Sequence, residues 1–230
     1  MPVVDATWTT SPRRRVPRQE RSRRRVEGLL DAAARIVVER GVDALTTRDI
    51  ADAADAPVAS LYQYFNDKED VLLALAQRDM DEMDAQVAED LAQLKVLSVE
   101  TLVRTTMLAF VSVYHRRPAF VEIYLRGRTN QAVHQFGREH NQRVAENLRA
   151  FAIDAGLADD RLTPKIALLA VEVGDRIFQL AFSEKVRGDT ELVEEGIVLV
   201  TSYLDRYATA KGRTAKPRGS EATDRKGIRQ

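Results

Sequence analysis

The stretch from Leu45 to Lys68, LTTRDIADAADAPVASLYQYFNDK, holds the residues of this chain best suited to recognition chemistry. Val58, Ala59, Ser60, Tyr62 and Tyr64 would share one side of a short helix, with Leu61 and Phe65 buried on the other. Small, hydroxyl-bearing and aromatic groups of this kind suit the edges and backbone of a duplex major groove. Taken alone, the two tyrosines read as readily as half-buried core aromatics.

Such side chains need rigid elements to present them. Thr46 can cap a first short helix with Asp49 three residues on, and Ile50, Ala51 and Ala54 form an apolar face small enough for close packing. Pro57 opens the second helix, expected to run to about Tyr64, where its missing N–H costs nothing. Before them a helix from about Gln19 carries Val26, Leu29, Leu30, Ala33, Ile36 and Val37 at helical spacing and stops at Gly41. After them Asn66 or Asp67 starts a long helix from Lys68, with Val71, Leu72, Leu75, Met80, Met83, Val87 and Leu91 inward. That helix would link a reading head to the body.

Beyond Ser98 the helical period continues without alternating strands, so the expected fold class is all-α. Breaks at Arg117-Pro118, Gly127 to Thr129, Ala155-Gly156, Leu162-Thr163-Pro164 and Gly188-Asp189 predict helices over about 99–116, 118–127, 130–155, 164–187 and 190–208. The last two are apolar on more than one face. They are candidates for self-association, with Ala167, Ala170, Gly174 and Ala181 small enough for close approach; the competing reading is a helix at the centre of a bundle.

A ligand pocket is the expected second site. Met107, Phe110 and Tyr114 share a helix face, Phe120 and Tyr124 lie on the next helix, and Phe178 lies on the penultimate one. Together they could line an apolar cavity with Arg126, Glu172, Asp175 or Arg176 as polar anchors. Core packing accounts for the aromatics equally well, and Glu172 with Arg176 could be an i,i+4 pair. The implied ligand is small and partly apolar.

Composition excludes several classes. The chain has 230 residues, 44% of them apolar, enough to bury a core. No cysteine is present, which removes disulfides, thiolate catalysis and cysteine-bound zinc. Gly-rich phosphate loops, HExxH and GxSxG are missing, and His134 and His140 are placed on different helix faces, so His115, His134 and His140 read as surface residues. The expectation is a protein that is not an enzyme, with no cofactor and no metal. Without a run of about 18 apolar residues or an apolar leader, it is expected in the cytoplasm.

The net charge of zero conceals an uneven layout. Residues 1–28 carry eight Arg against Asp5, Glu20 and Glu27, a net +5, and residues 207–230 also carry +5, leaving −10 between them. Basic ends on an acidic body confine any contact with phosphate to the N-terminal end of the fold. The chain divides into a basic arm over 1–20, a helix-turn-helix head over 21–67, a helical body over 68–208 and a basic tail over 209–230. Polar composition predicts disorder in arm and tail. The arginines at 13–15 and 18–25 are either solvated or touch DNA backbone or minor groove.

At LLDAAARIVVERG, LTTRDIADAA and SLYQYFNDKEDVL the chain resembles the tetracycline-repressor (TetR) family of bacterial transcriptional regulators, over about residues 22 to 75. The resemblance implies an all-helical homodimer, with a three-helix N-terminal DNA-binding domain and a C-terminal domain that dimerises and binds an effector. By the same resemblance Thr47 and Arg48 fall where family members contact phosphate and base edges. Val58 and Ser60 fall on base-reading positions, Tyr62 and Tyr64 on phosphate-facing ones, and Lys68 on a phosphate lysine. Arg48 could fork to guanine and Val58 press on a thymine methyl. Two positions depart from the family pattern. Asp55 replaces the turn glycine, and Pro57 stands where a capping Ser or Thr is common. The expectation is a ligand-responsive repressor that binds a palindromic operator as a homodimer through its last two helices; a non-specific architectural DNA-binding protein is the alternative.

Overall fold

The computed structural model describes residues 20–127 and 130–213, with the side chain of Glu20 excepted. Arm and tail therefore lie outside the described residues, apart from the first few of the tail. Among the described residues nine α-helices follow in order: α1 (Glu20–Arg40), α2 (Thr47–Ala53), α3 (Val58–Leu61), α4 (Lys68–Ala92), α5 (Val99–Arg116), α6 (Pro118–Phe120), α7 (Gln131–Asp154), α8 (Pro164–Ala181) and α9 (Thr190–Leu204). The fold is all-α: a helix-turn-helix of α2 and α3 packed on α1, then a helical body joined to it by α4.

Short-range chemistry sets most helix starts. The Thr46 hydroxyl accepts from the Asp49 amide at 3.1 Å and donates to the Asp49 carboxylate at 2.6 Å. Asp67 caps α4 by accepting from the Asp70 amide at 2.9 Å, Asn130 caps α7 from the Val133 amide at 2.9 Å, and Asp189 caps α9. Pro164 fills the first position of α8 behind Thr163. Gly41 closes α1 at φ +81, where a Cβ would be strained. Asp55 takes the same left-handed region at φ 49 in the turn between α2 and α3.

The structure corrects several boundaries. α3 stops at Leu61, because the amides of Tyr64 and Phe65 both turn back to the Leu61 carbonyl. Pro57 is the residue before the first turn and does not lie within it. The helix expected over 118–127 is a single α-turn followed by a π-helical turn, Val121–Leu125. α8 ends six residues short of the expected 187, at Ala181, where Arg126 donates to the carbonyls of Phe182 and Ser183 at 3.0 and 3.2 Å and to that of Glu184 at 2.8 Å. A distant guanidinium thus satisfies carbonyls at the helix C-terminus and lets the chain turn away. Residues 209–213, expected in the tail, dock on the body. Thr209 and Lys211 donate to the carbonyls of Leu157 and Ala155, and the Val99 amide donates to Gly212.

One apolar core runs through head and body. Leu29, Ala33 and Val37 of α1, Ile50 of α2, Leu61 of α3 and Leu72, Leu75 and Met83 of α4 are completely buried. Deeper in the body, Tyr114 stacks on Phe120 at 5.7 Å and meets Phe178 and Phe182 edge-on, each at 5.3 Å. None of the described helices is long and apolar enough to cross a membrane.

Candidate nucleic-acid interface and buried cavity

On the head, α3 turns Leu61 inward and leaves Ala59 and Tyr62 exposed, with Val58 and Ser60 half-buried beside them. Tyr62 is 53% exposed, and its hydroxyl lies 3.1 Å from that of Thr47 at the start of α2. That contact joins the first turn of α2 to the end of α3 in one polar edge. Arg48 is exposed on the same turn. Tyr64 is half-buried, and its phenol oxygen accepts from Ser22 of α1 at 3.0 Å. It braces α1 against the turn, whereas Tyr62 is open to a partner.

Lys68 sits at the N-terminus of α4, half-buried. A cation there gains nothing from the helix dipole, so its placement is not explained by helix stability. The acids around it are engaged: Asp67 caps the helix, Asp70 accepts from the Asn66 amide at 3.0 Å, and Glu69 accepts from Asn130, the cap of α7. Arg21, Arg24 and Arg25, exposed on the first turns of α1, border an open groove of about 510 Å³ with Ala54, Ala56 and Tyr64. Their signal in the sequence was the arginine run.

In the body, α5, α7, α8 and α9 enclose an apolar cavity of about 100 Å³. Met107, Phe110, Asp175 and Phe178 line it, joined by Asn141, Leu148 and Arg149 of α7 and Leu102 and Thr106 of α5. The other expected pocket residues lie elsewhere. Tyr114 and Phe120 belong to the aromatic core behind the Phe110 and Phe178 walls. Tyr124 is buried and donates its hydroxyl to Asp175 at 3.3 Å. Arg126 closes the end of α8. Glu172 accepts from Asn141 at 3.3 Å, and Arg176 is exposed and donates to Gln179, not to Glu172. Asn141 and Arg149 went unnoticed in the sequence. Their signal was a polar residue at i+4 from Gly137 and another at i+4 from Ala145 on the inward stripe of α7.

Small residues of α8 also turn out differently placed. Ala167, Ala170 and Gly174 are buried toward the cavity, and Ala181 is buried as well, so they do not open the outer face. That outer face instead exposes Leu169 and Leu180, with Leu192, Val198 and Leu199 of α9, each 43 to 55% exposed.

His140 is the clearest reversal. Expected at the surface, it is 2% exposed, and its Nε2 lies 2.9 Å from the buried carboxylate of Asp84 on α4. His134 is half-buried, 2.9 Å from the Gly127 carbonyl, and His115 is exposed. Among the described residues no group of His, Asp and Glu is arranged to hold a metal ion. Two carboxyls are pushed up to about 6: the buried Asp79 by desolvation, against the pull of Arg78 and Arg117, and the half-buried Asp175 by partial desolvation and the nearby charge of Glu172.

A helix-turn-helix head joined to a helical body defines a DNA-binding regulator architecture. The chain belongs to the TetR family of transcriptional regulators. The family profile of bacterial regulatory proteins of the tetR family matches residues 29–75. A TetR-family transcriptional regulator from Streptomyces coelicolor is 32% identical, with 80% of this chain and 99% of that one superposed at a TM-score of 0.65. The transcriptional repressor KstR2 of Rhodococcus jostii is 42% identical over 72 residues, covering 31% of this chain and 35% of that protein. KstR2 of Mycobacterium tuberculosis is 36% identical over 110 residues, 48% of this chain and 53% of that protein. The chain thus spans about a third to a half of the length of these curated relatives.

Proposed function

We propose that this protein is a ligand-responsive cytoplasmic repressor that binds a palindromic operator as a homodimer. The observation that carries this reading is the edge made by the exposed Arg48, Ala59 and Tyr62 and the half-buried Thr47 on a helix-turn-helix whose supporting helix, α4, runs directly into a cavity-bearing body. Val58 and Ser60 read base edges, Thr47 and Tyr62 orient on phosphate, Arg48 serves either, and Lys68 adds charge at the backbone. Tyr64 acts through α1 and does not itself touch DNA. The apolar outer face of α8 and α9 is the surface for the second copy, since exposed leucines and valines of this number gain by burial against each other.

Two heads on a two-fold axis require half-sites about one helical turn apart or a nearby multiple. A ligand in the cavity shifts the heads only if it binds the free and operator-bound arrangements with different affinity. The tie from Asn130 of α7 to Glu69 in the first turn of α4 offers a mechanical route.

Selection of bound genomic fragments, then titration of selected and random duplexes across a salt series, tests the reading. A selected-over-random ratio of about a thousandfold or more is expected; a ratio near one would make the protein a non-specific architectural binder. Lys68→Ala should weaken both duplexes equally and lower the salt slope by about 1, whereas Val58→Ala should reduce the ratio itself.

A further inference from the structure

The cavity has a carboxylate at one end that makes no ion pair among the described residues. α7 and α8 run antiparallel, with Asn141 bonded to Glu172 at one end and Arg149 bonded to the Leu162 carbonyl at the other. Eight residues of α7 separate these ends, roughly 12 Å at 1.5 Å per residue. Apolar side chains line the space between them, among them Val144, Leu148, Val103 and Ala170. Asp175 stands at the Asn141 end. Among the described residues both hydrogen bonds to its carboxylate, from Gln179 at 2.9 Å and Tyr124 at 3.3 Å, fall on Oδ2, and no cation lies within ion-pair distance. Glu172 on its own helix adds negative charge to that end; the His140 ring, bonded to Asp84, offsets it only in part and makes no hydrogen bond to Asp175.

Phe110 and Phe178 wall the same end, with ring centroids 6.1 Å apart. A half-buried carboxylate beside two aromatic rings is a setting that favours an ammonium over a neutral donor, and it repels a second carboxylate. On the reading of this cavity as the effector site, we propose that the effector is an elongated apolar molecule bearing a protonated amine, held by Asp175 between Phe110 and Phe178 with its apolar chain lying toward Arg149.

The test is isothermal titration of the full chain at pH 7 with n-octylamine, 1-octanol and octanoate, which share one chain length and differ in the head. The amine should bind at least tenfold more tightly than the alcohol, and octanoate the most weakly. Asp175→Asn should cut amine affinity at least tenfold, leave the alcohol unchanged and not lower the melting temperature. Gly174 provides a cavity-filling control, because a Cβ added there meets nothing within 4 Å. Gly174→Leu, with its melting temperature read to show that it folds, should lose binding of all three. Equal or tighter binding of octanol or octanoate in the wild type, or amine affinity indifferent to Asp175→Asn, overturns the amine while leaving the cavity as an effector site. Binding that survives Gly174→Leu, or none by any of the three, overturns both.

Discussion

Arg78 on α4 donates to the carboxylate of Asp31 on α1 at 2.8 Å, tying the body to the helix that carries the reading head. The same guanidinium reaches Glu27 at 3.3 Å and the buried Asp79 at 3.3 Å. Asp79 in turn faces Arg117, which bonds Glu82 at 2.7 Å. One network therefore spans α1, α4 and the end of α5.

The two ends of that network should differ sharply in energetic weight. The Asp31 side chain is 57% exposed and that of Asp79 is 1% exposed. Asp31→Ala should cost less than about 1 kcal/mol, as exposed pairs do. Arg78→Ala removes a partner from a buried carboxylate and should cost about 2–4 kcal/mol by urea denaturation. The double variant should be little worse than Arg78→Ala alone, since Asp31 has then already lost its partner.

Asp79 also predicts a pH dependence. Burial raises its carboxyl from 3.8 to about 6, with Arg78 and Arg117 pulling down and Glu82 pushing up. The folded chain therefore holds this proton more tightly than the unfolded chain. Its contribution to stability is full below about 3.8 and is lost as pH rises through about 6. Relative to Asp79→Asn, the wild type should lose about 2 kcal/mol between pH 4 and pH 7, on top of a constant offset. Urea midpoints of both proteins over that range decide it; a flat difference would mean that the carboxylate feels no burial cost.

Gly137 of α7 should not tolerate alanine. An added Cβ would overlap the Tyr124 ring and come within 2.6 Å of its hydroxyl. Alanine gains up to about 1 kcal/mol in helix propensity. Overpacking costs about 1–3 kcal/mol, and here the ring that must move is buried and bonded to Asp175. A lower melting temperature is expected, together with weakened cavity ligands.

Much of the head was legible because its signals are local. The Thr46 and Asp67 caps and the Gly41 stop each depend on atoms within a few residues, and the inward stripe of α4 from Val71 to Leu91 follows from its period alone. The cavity was half legible. Periodicity marked Met107, Phe110, Tyr114, Phe120, Tyr124 and Phe178 as inward, but an inward side chain touches whichever neighbour the tertiary arrangement supplies. Only Met107, Phe110 and Phe178 among these reach the cavity. The short end of α3 was hidden for a related reason: Tyr62 to Tyr64 carry no helix breaker, and the chain leaves the helix before Phe65 enters the core.

The order of residues determined by itself that the chain would be helical, where most helices would start, and that Ala59 and Tyr62 would lie together on one side of a helix-turn-helix, opposite Leu61. Those outcomes rest on contacts three or four residues apart, which the sequence contains directly. Tertiary structure alone decided that His140 is buried against Asp84, 56 residues away, that Arg126 ends α8 from 56 to 58 residues away, and that Asp175 faces an enclosed apolar space. In each case the deciding term is the burial of a polar group and the identity of its partner, and the partner is brought there only by the packing of helices that are remote in sequence.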